Sequence, residues 1–213
     1  MNRLTSILIT FFLGTGNVMA DYNDVLNAIS KDKNVSPERL EELMDSIMRW
    51  ESSRTKSKIV PNAIQLSTVD GQLRPVGPGR GAFQFEQRAE DNPLGKGSGA
   101  AVTARNRLKE FLKSKGMDQP NWLKNLPDNF DPATLDLEQQ KMLFLGDGRM
   151  AAGKNFSEIA GDNPSKTFGE WWADYHKALG SEKLADDVIE FDRLVNERRM
   201  QPINTSTSEW IVG

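Results

Sequence analysis

The feature that most constrains the fold is an apolar stripe at helical spacing near residue 40. The stripe consists of Leu40, Leu43, Met44 and Ile47. Residues at intervals of three and four share one face of an α-helix, and Ser36-Pro37 just before them is a typical helix start. Glu51 lies four residues beyond Ile47 and so falls on the same face. Because a carboxylate is costly to bury unless it is used, Glu51 is the first candidate for chemistry.

The rest of the chain predicts further helices joined by polar loops. Apolar periodicity bounded by Gly and Pro predicts helices over 22–29, 100–115, 136–145, 165–179 and 181–199. Two short apolar pieces, 59–60 and 64–66, predict one small hairpin as the only sheet. The sequence therefore predicts a mainly α-helical domain of the α+β class with at most a small β-hairpin.

Composition narrows the classes of function. A length of 213 residues suits one well-filled domain. The 27 basic and 30 acidic residues lack the basic excess of a dedicated nucleic-acid binder, so we expect no nucleic-acid partner. With no cysteine and a single histidine, a Cys/His metal cluster and a Cys–His nucleophilic pair are excluded. We predict no metal and no cofactor, and acid–base chemistry falls to Asp, Glu, Tyr or His176.

The first twenty residues have the pattern of an export signal. A basic start at Arg3 precedes an apolar run over 4–13, and Val18-Met19-Ala20 resembles a cleavage site. The run is too short to predict a stable transmembrane span. A buried N-terminal helix and a weak membrane anchor that is later released remain open as alternatives. We expect 1–20 to be a signal or membrane-targeting segment, 21–199 the catalytic domain and 200–213 a tail.

A second segment, Gly81-Ala82-Phe83-Gln84-Phe85-Glu86, has the composition of a ligand-lining turn. Gly81 lets a flat ring approach the backbone, and Gln84 offers both a donor and an acceptor. In an extended path Phe83 and Phe85 share one face, so they can anchor the segment while Gln84 faces a cleft.

Together with Arg49-Trp50-Glu51-Ser52-Ser53, this segment resembles the two signature segments of goose-type lysozymes and soluble lytic transglycosylases. The resemblance implies a lysozyme-like fold with the hairpin beside an active-site cleft. It also implies cleavage of the β-1,4 bond between N-acetylmuramic acid and N-acetylglucosamine in peptidoglycan, with Glu51 as general acid/base. By the same resemblance Ser52, Gly81, Phe83 and Gln84 would contact the substrate.

A second carboxylate would decide the reaction. Asp70, where goose-type lysozymes carry auxiliary aspartates, and Glu86, directly after the second segment, are the candidates. Hydrolases use such a group to activate water or to attack the sugar. The resembling transglycosylases do without it, because the sugar's own 6-hydroxyl closes a 1,6-anhydro ring. The sequence leaves both reactions open.

The late segment 137–145, followed by Trp172 and His176, looks like the lysozyme-like proteins that bacteriophages carry. Tyr175-His176 stands where the resembling family has a Tyr-Asn pair at the cleft, with His in place of Asn. This context predicts export to the periplasm or cell wall, or association with the virion and other virion proteins. Two rivals remain: a murein endopeptidase on a similar scaffold, and a non-catalytic wall-binding virion protein.

Overall fold

The computed structural model describes residues 19–53, 56, 58–146, 158–159, 165–174 and 181–200, with side chains in the last range described for 188–197. The α-helices are α1 (Tyr22–Lys33), α2 (Pro37–Ser52), α3 (Ala100–Ser114), α4 (Asn121–Lys124), α5 (Leu137–Gly146), α6 (Phe168–Ala173) and α7 (Ser181–Met200). The strands are β1 (Ser67–Val69), β2 (Gln72–Arg74), β3 (Gly79–Arg80) and β4 (Phe85–Glu86), and short 3-10 turns cover Ala89–Asp91 and Pro132–Thr134. The predicted mainly helical class is confirmed.

The helix starts follow the capping residues in the sequence. The Ser36 side chain accepts a hydrogen bond from the Arg39 backbone N–H at 3.2 Å, and Pro37 opens α2. Asp21 caps α1 in the same way as part of a capping box. This helix runs four residues beyond its predicted end at 29, because the polar residues after it remain helical until Asn34 takes a left-handed conformation (φ 53°).

The predicted hairpin over 59–66 is wrong. The first sheet instead pairs β1 with β2, antiparallel, across the turn Asp70-Gly71, whose residues both have positive φ (52° and 75°). That Asp-Gly pair is the strongest local hairpin signal in the segment. A second two-stranded sheet pairs β3 with β4, and Ile64 forms only an isolated bridge with Arg80. The described residues therefore contain two small sheets where one was expected.

The core forms around the α2 stripe. Leu40, Leu43, Met44 and Ile47 are fully buried, as their spacing predicts. Helix α2 packs against α1 and α7, while α5 packs against α1 and α3. The second sheet joins this core through Phe83, whose ring stacks on Phe144 of α5 with centroids 4.3 Å apart. The C-terminal end of α2 and the β3–β4 segment are thus anchored in one core.

The chain just before α1 is part of this packing. Met19 forms a parallel bridge with Asp118, and the Ala20 backbone N–H donates to the Asp118 carbonyl at 2.9 Å. Ala20 itself is buried. A cut after Ala20 would remove this connection. Residues 1–18 of the predicted signal segment and residues 201–213 of the predicted tail lie outside the described residues, and no described helix is long and apolar enough to cross a membrane.

A polar cluster joins α1, α2 and α5. The Tyr22 hydroxyl donates to Oε1 of Glu41, and Nζ of Lys141 lies 2.6 Å from Oε2 of the same carboxylate. Burial, together with the hydrogen bond to Glu41, raises the pKa of the Tyr22 phenol far above its ordinary value of 10.0. Over a range of pH above 10.0, the folded protein therefore keeps the phenol protonated while the unfolded chain releases its proton.

This cluster predicts a loss of stability at high pH. Above pH 10.0 the unfolded state releases the Tyr22 proton while the folded state keeps it, so the free energy of unfolding falls by up to about 1.4 kcal/mol per pH unit from this group. Below pH 10.0 both states keep the proton, so the contribution of the Tyr22 phenol to the free energy of unfolding is fully present. Urea unfolding of the wild type and of Tyr22→Phe at several pH values should show their stability difference shrinking above pH 10. An equal pH dependence of the two proteins would contradict the assignment.

Candidate functional site

Glu51 lies in the last turn of α2, on the helix face whose earlier members form the core. The residue is partly buried, and its Oε1 atom is shielded from solvent. The predicted position of this carboxylate at the end of a buried stripe is therefore confirmed. One oxygen faces the protein interior, while the residue as a whole stays within reach of the surface.

Ser52 fastens the chain that follows Glu51. Its hydroxyl donates to the Met48 carbonyl at 2.6 Å and accepts from the Val60 backbone N–H at 2.9 Å. A hydroxyl has one donor, so the donor of this predicted substrate contact is used within the protein. Through the bond to Val60, the chain that follows α2 is held against the C-terminal end of that helix.

Gly81 to Gln84 form a tight turn between β3 and β4. Gly81 (φ 77°) and Gln84 (φ 50°) both have left-handed backbones, and the Gln84 N–H donates to the Gly81 carbonyl at 3.2 Å. The predicted extended path is therefore wrong. Phe83 and Phe85 nevertheless anchor the segment as expected, since both are buried with ring centroids 5.8 Å apart. The structure places Phe83 in the core, where its ring supports the turn, and its contact with a substrate stays a prediction.

The Gln84 side chain stabilises the same turn. Its Nε2 donates to the Gly81 carbonyl at 2.8 Å and to the Ala63 carbonyl at 3.4 Å. Its Oε1 lies 2.8 Å from the point where a Cβ on Gly79 would stand. Gln84 is partly buried, and its amide donors are directed at the protein backbone. The predicted cleft-facing amide is thus also a turn-forming group.

Gln140 of α5 links the two segments. Its side chain is fully buried, and its Oε1 accepts from the Ala82 N–H at 2.7 Å. Its Nε2 donates to the Pro61 carbonyl and to the Leu135 carbonyl, each at 2.9 Å. One amide therefore holds the loop after Glu51 against the turn that begins at Gly81.

A backbone contact completes this link. The Gly81 N–H donates to the Ala63 carbonyl at 2.8 Å, and Ala63 follows the residues fastened by Ser52 and Gln140. An unbroken path of hydrogen bonds and short chain segments thus runs from Glu51 to Gln84. The sequence prediction did not include Gln140 among the site residues. The criterion that selects Glu51 would have found it, because Gln140 is a polar residue on an apolar helix stripe with Leu137 and Phe144.

The two candidate second carboxylates both have local roles. Asp70 is exposed at the tip of the β1–β2 hairpin, where its left-handed backbone forms the turn. Oε2 of Glu86 accepts from the Ser98 backbone N–H at 2.9 Å and so ties β4 to the chain before α3. No described contact brings either carboxylate to Glu51.

Aromatic side chains pack around Phe191, and one of them, Trp50, is the residue before Glu51 in α2. Trp50 and Trp172 are partly exposed and flank the buried Phe191, with ring centroids 5.9 Å and 6.2 Å from it. Nζ of Lys56 stands 3.3 Å from the centroid of the Trp50 ring. Trp171, the neighbour of Trp172, is buried in the core. The predicted site residues Tyr175 and His176 lie outside the described residues.

Over the described part of the chain, no group of three or more Asp, Glu or His side chains could hold a metal ion. Comparisons of the chain with protein families, with curated proteins and with solved structures found no match.

The fit between Gly81 and Gln140 predicts the effect of adding a methyl group. A Cβ at Gly81 would stand 2.4 Å from Oε1 of Gln140, so Gly81→Ala should break the link as well as strain the backbone. Gly71→Ala is the matched control, because its φ is nearly the same (75°) and its Cβ would meet nothing within 4 Å. The control should cost about 1–2 kcal/mol of unfolding free energy for backbone strain, and Gly81→Ala clearly more. Equal losses in urea unfolding would contradict the described link.

Proposed function

We propose that the protein cleaves peptidoglycan glycan strands at the β-1,4 bond between N-acetylmuramic acid and N-acetylglucosamine, with Glu51 as general acid and base. The observation that carries the proposal is the setting of Glu51. Its carboxyl group ends a buried helix stripe, has one oxygen shielded from solvent, and is joined through Ser52 and Gln140 to the Gly81 turn. The likeness of both segments to those of lytic transglycosylases and goose-type lysozymes supports the same assignment.

The chemistry needs one group that changes protonation state twice. Glu51 as a carboxylic acid donates its proton to the leaving glycosidic oxygen as the bond breaks. As a carboxylate it then removes the proton from the attacking hydroxyl. Because Oε1 is shielded from solvent, the proton would be given and taken at the other carboxyl oxygen, on the side where the partly exposed residue can meet a sugar.

The surroundings of the two other carboxylates favour the transglycosylase reaction. Asp70 lies in a hairpin tip and Glu86 accepts a bond from Ser98, and no described contact joins either of them to Glu51, so we assign to neither the activation of water. A reaction in which the 6-hydroxyl of the muramic acid attacks its own anomeric carbon needs no second carboxylate. The product would carry a 1,6-anhydro ring.

The aromatic group next to Glu51 suits a glycan ligand. Trp50 and Trp172 are partly exposed, and a sugar ring could pack its apolar face against the indole surface that Phe191 and Lys56 leave uncovered. Lys56, held over the Trp50 ring, would supply a cation for the carboxylates of the stem peptide.

Mass analysis of muropeptides released from purified sacculi tests the proposal. The wild-type chain should release fragments with 1,6-anhydro ends, and Glu51→Gln should lower their rate of release by about 10²–10⁴-fold, since general acid–base catalysis is lost. Glu38→Gln, on the exposed side of the same helix, is the matched control and should retain the wild-type rate. Undiminished cleavage by Glu51→Gln would contradict the role of Glu51.

The products also separate the other reactions. Reducing ends in place of anhydro ends, together with loss of activity in Glu86→Gln or Asp70→Asn, would contradict the transglycosylase step and indicate a hydrolase. New free amines would indicate an endopeptidase instead of a glycan-cleaving enzyme. Binding to sacculi without any released fragment would indicate a wall-binding protein.

A further inference from the structure

A pocket lies between the first turn of α2, the start of α6 and the second half of α7. Its volume is about 280 Å³, near the lower end of the range for small-molecule sites. Among the residues that line it are Arg39, Lys166, Phe168, Glu170, Asp192 and Val195. Arg39 and Glu51 are twelve positions apart on α2, which is about 18 Å along the helix axis. The pocket is therefore separate from the candidate catalytic carboxyl group.

Arg39 is held in place while part of its guanidinium group stays free. Its Cζ lies 4.3 Å from the centroid of the Phe168 ring, and its Nη1 donates to Oε2 of Glu42 at 3.0 Å. Within the described residues, its Nε and Nη2 have no hydrogen-bond partner. The edge formed by these two nitrogens can bind both oxygens of one carboxylate. Arg39 therefore offers the pocket a positioned site for a carboxylate.

Asp192 and Glu170 supply acceptors on other walls of the pocket. Oδ1 of Asp192 accepts from the Gly169 backbone N–H at 2.8 Å, and Oε2 of Glu170 accepts from the Thr167 backbone N–H, also at 2.8 Å. In the part of the chain that the structure describes, neither carboxylate forms an ion pair. Each has a second oxygen left to accept a hydrogen bond from a ligand.

The charges around the pocket do not neutralise one another. Nζ of Lys166 is already engaged, at 2.9 Å from Oδ2 of Asp174 and 3.0 Å from Oε2 of Glu158. Arg39 and Asp192 line the same pocket, yet no ion pair joins them over the described ranges. Partly buried charges are most stable when each has a partner of opposite sign. A ligand that carries both an ammonium group and a carboxylate can pair with both residues at once.

We propose that this pocket binds the head group of an α-amino acid. The ligand carboxylate accepts from the Nε and Nη2 edge of Arg39, and its ammonium group donates to Asp192, with Glu170 adding negative charge. Phe168 and Val195, both buried, provide apolar surface for a short aliphatic side chain. An anion alone would meet the two carboxylates, and a cation alone would meet Arg39, so the pocket selects a zwitterion. This binding does not depend on the proposed glycan cleavage.

NMR titration of the full chain with valine tests the proposal. The reporter is the Gly169 amide, because its N–H donates to Asp192 and should respond when an ammonium group reaches that carboxylate. Valine should shift this resonance in a saturable way. Valinamide, which lacks the carboxylate, and N-acetylvaline, which lacks the ammonium group, should each bind about tenfold more weakly or worse, since each loses one charged contact.

Two conservative variants test the two walls separately by calorimetric titration with valine. Asp192→Asn keeps an oxygen for the Gly169 N–H but removes the charge, and Arg39→Lys keeps the charge but removes the fork of donors. Each should weaken valine binding about tenfold or more. Glu190→Gln is the matched control, because it removes one negative charge two positions from Asp192, on nearly the opposite side of α7. This control should bind valine like the wild type.

Three results would overturn the proposal. The absence of a saturable shift at Gly169, up to the solubility limit of valine, would show that the pocket does not take this head group. Equal affinity for valine, valinamide and N-acetylvaline would show that the head group is not recognised. Undiminished valine binding in both Asp192→Asn and Arg39→Lys would place the binding site elsewhere on the protein.

Discussion

The buried amide of Gln140 is the interaction on which the candidate site depends. Its oxygen accepts from Ala82, and its nitrogen donates to Pro61 and Leu135. Removing it would leave three backbone groups buried without these partners, each at a cost of about 1–3 kcal/mol. Because Gln140 belongs to α5, whose Phe144 also stacks on Phe83, one helix fixes both the position of the Gly81 turn and the return of the chain after Glu51.

This arrangement explains why several predicted substrate contacts have structural roles. Ser52 closes the end of α2, and Gln84 closes the Gly81 turn through its own side chain. Tightly bonded groups of this kind hold a reactive carboxyl in a fixed place, which catalysis needs as much as direct contacts. The two segments that resemble the family signatures, 49–53 and 81–86, therefore hold Glu51 in position as well as lying near it.

The sequence predicts the local parts of this structure well and the long-range parts poorly. The helices follow from apolar periodicity and caps, as in α2 with its Ser36 start and buried stripe. The one predicted hairpin, over 59–66, is wrong because it rests on short apolar pieces, whereas the Asp70-Gly71 turn marks the hairpin that forms. The bond from Ala82 to Gln140 spans 58 positions, and no local pattern specifies such a partner, so the link between the two segments emerges only from the fold.

Amide hydrogen exchange at Ala82 tests this link most directly. Its N–H donates to a buried side chain and should exchange only through large-scale unfolding, like the core amide of Ile47. In Gln140→Leu the Ala82 amide should exchange about 5- to 150-fold faster relative to Ile47, since the lost bond is worth roughly 1–3 kcal/mol. An Ala82 amide that exchanges in the wild type as rapidly as an exposed loop, or one whose exchange relative to Ile47 is unchanged by the substitution, would contradict the account.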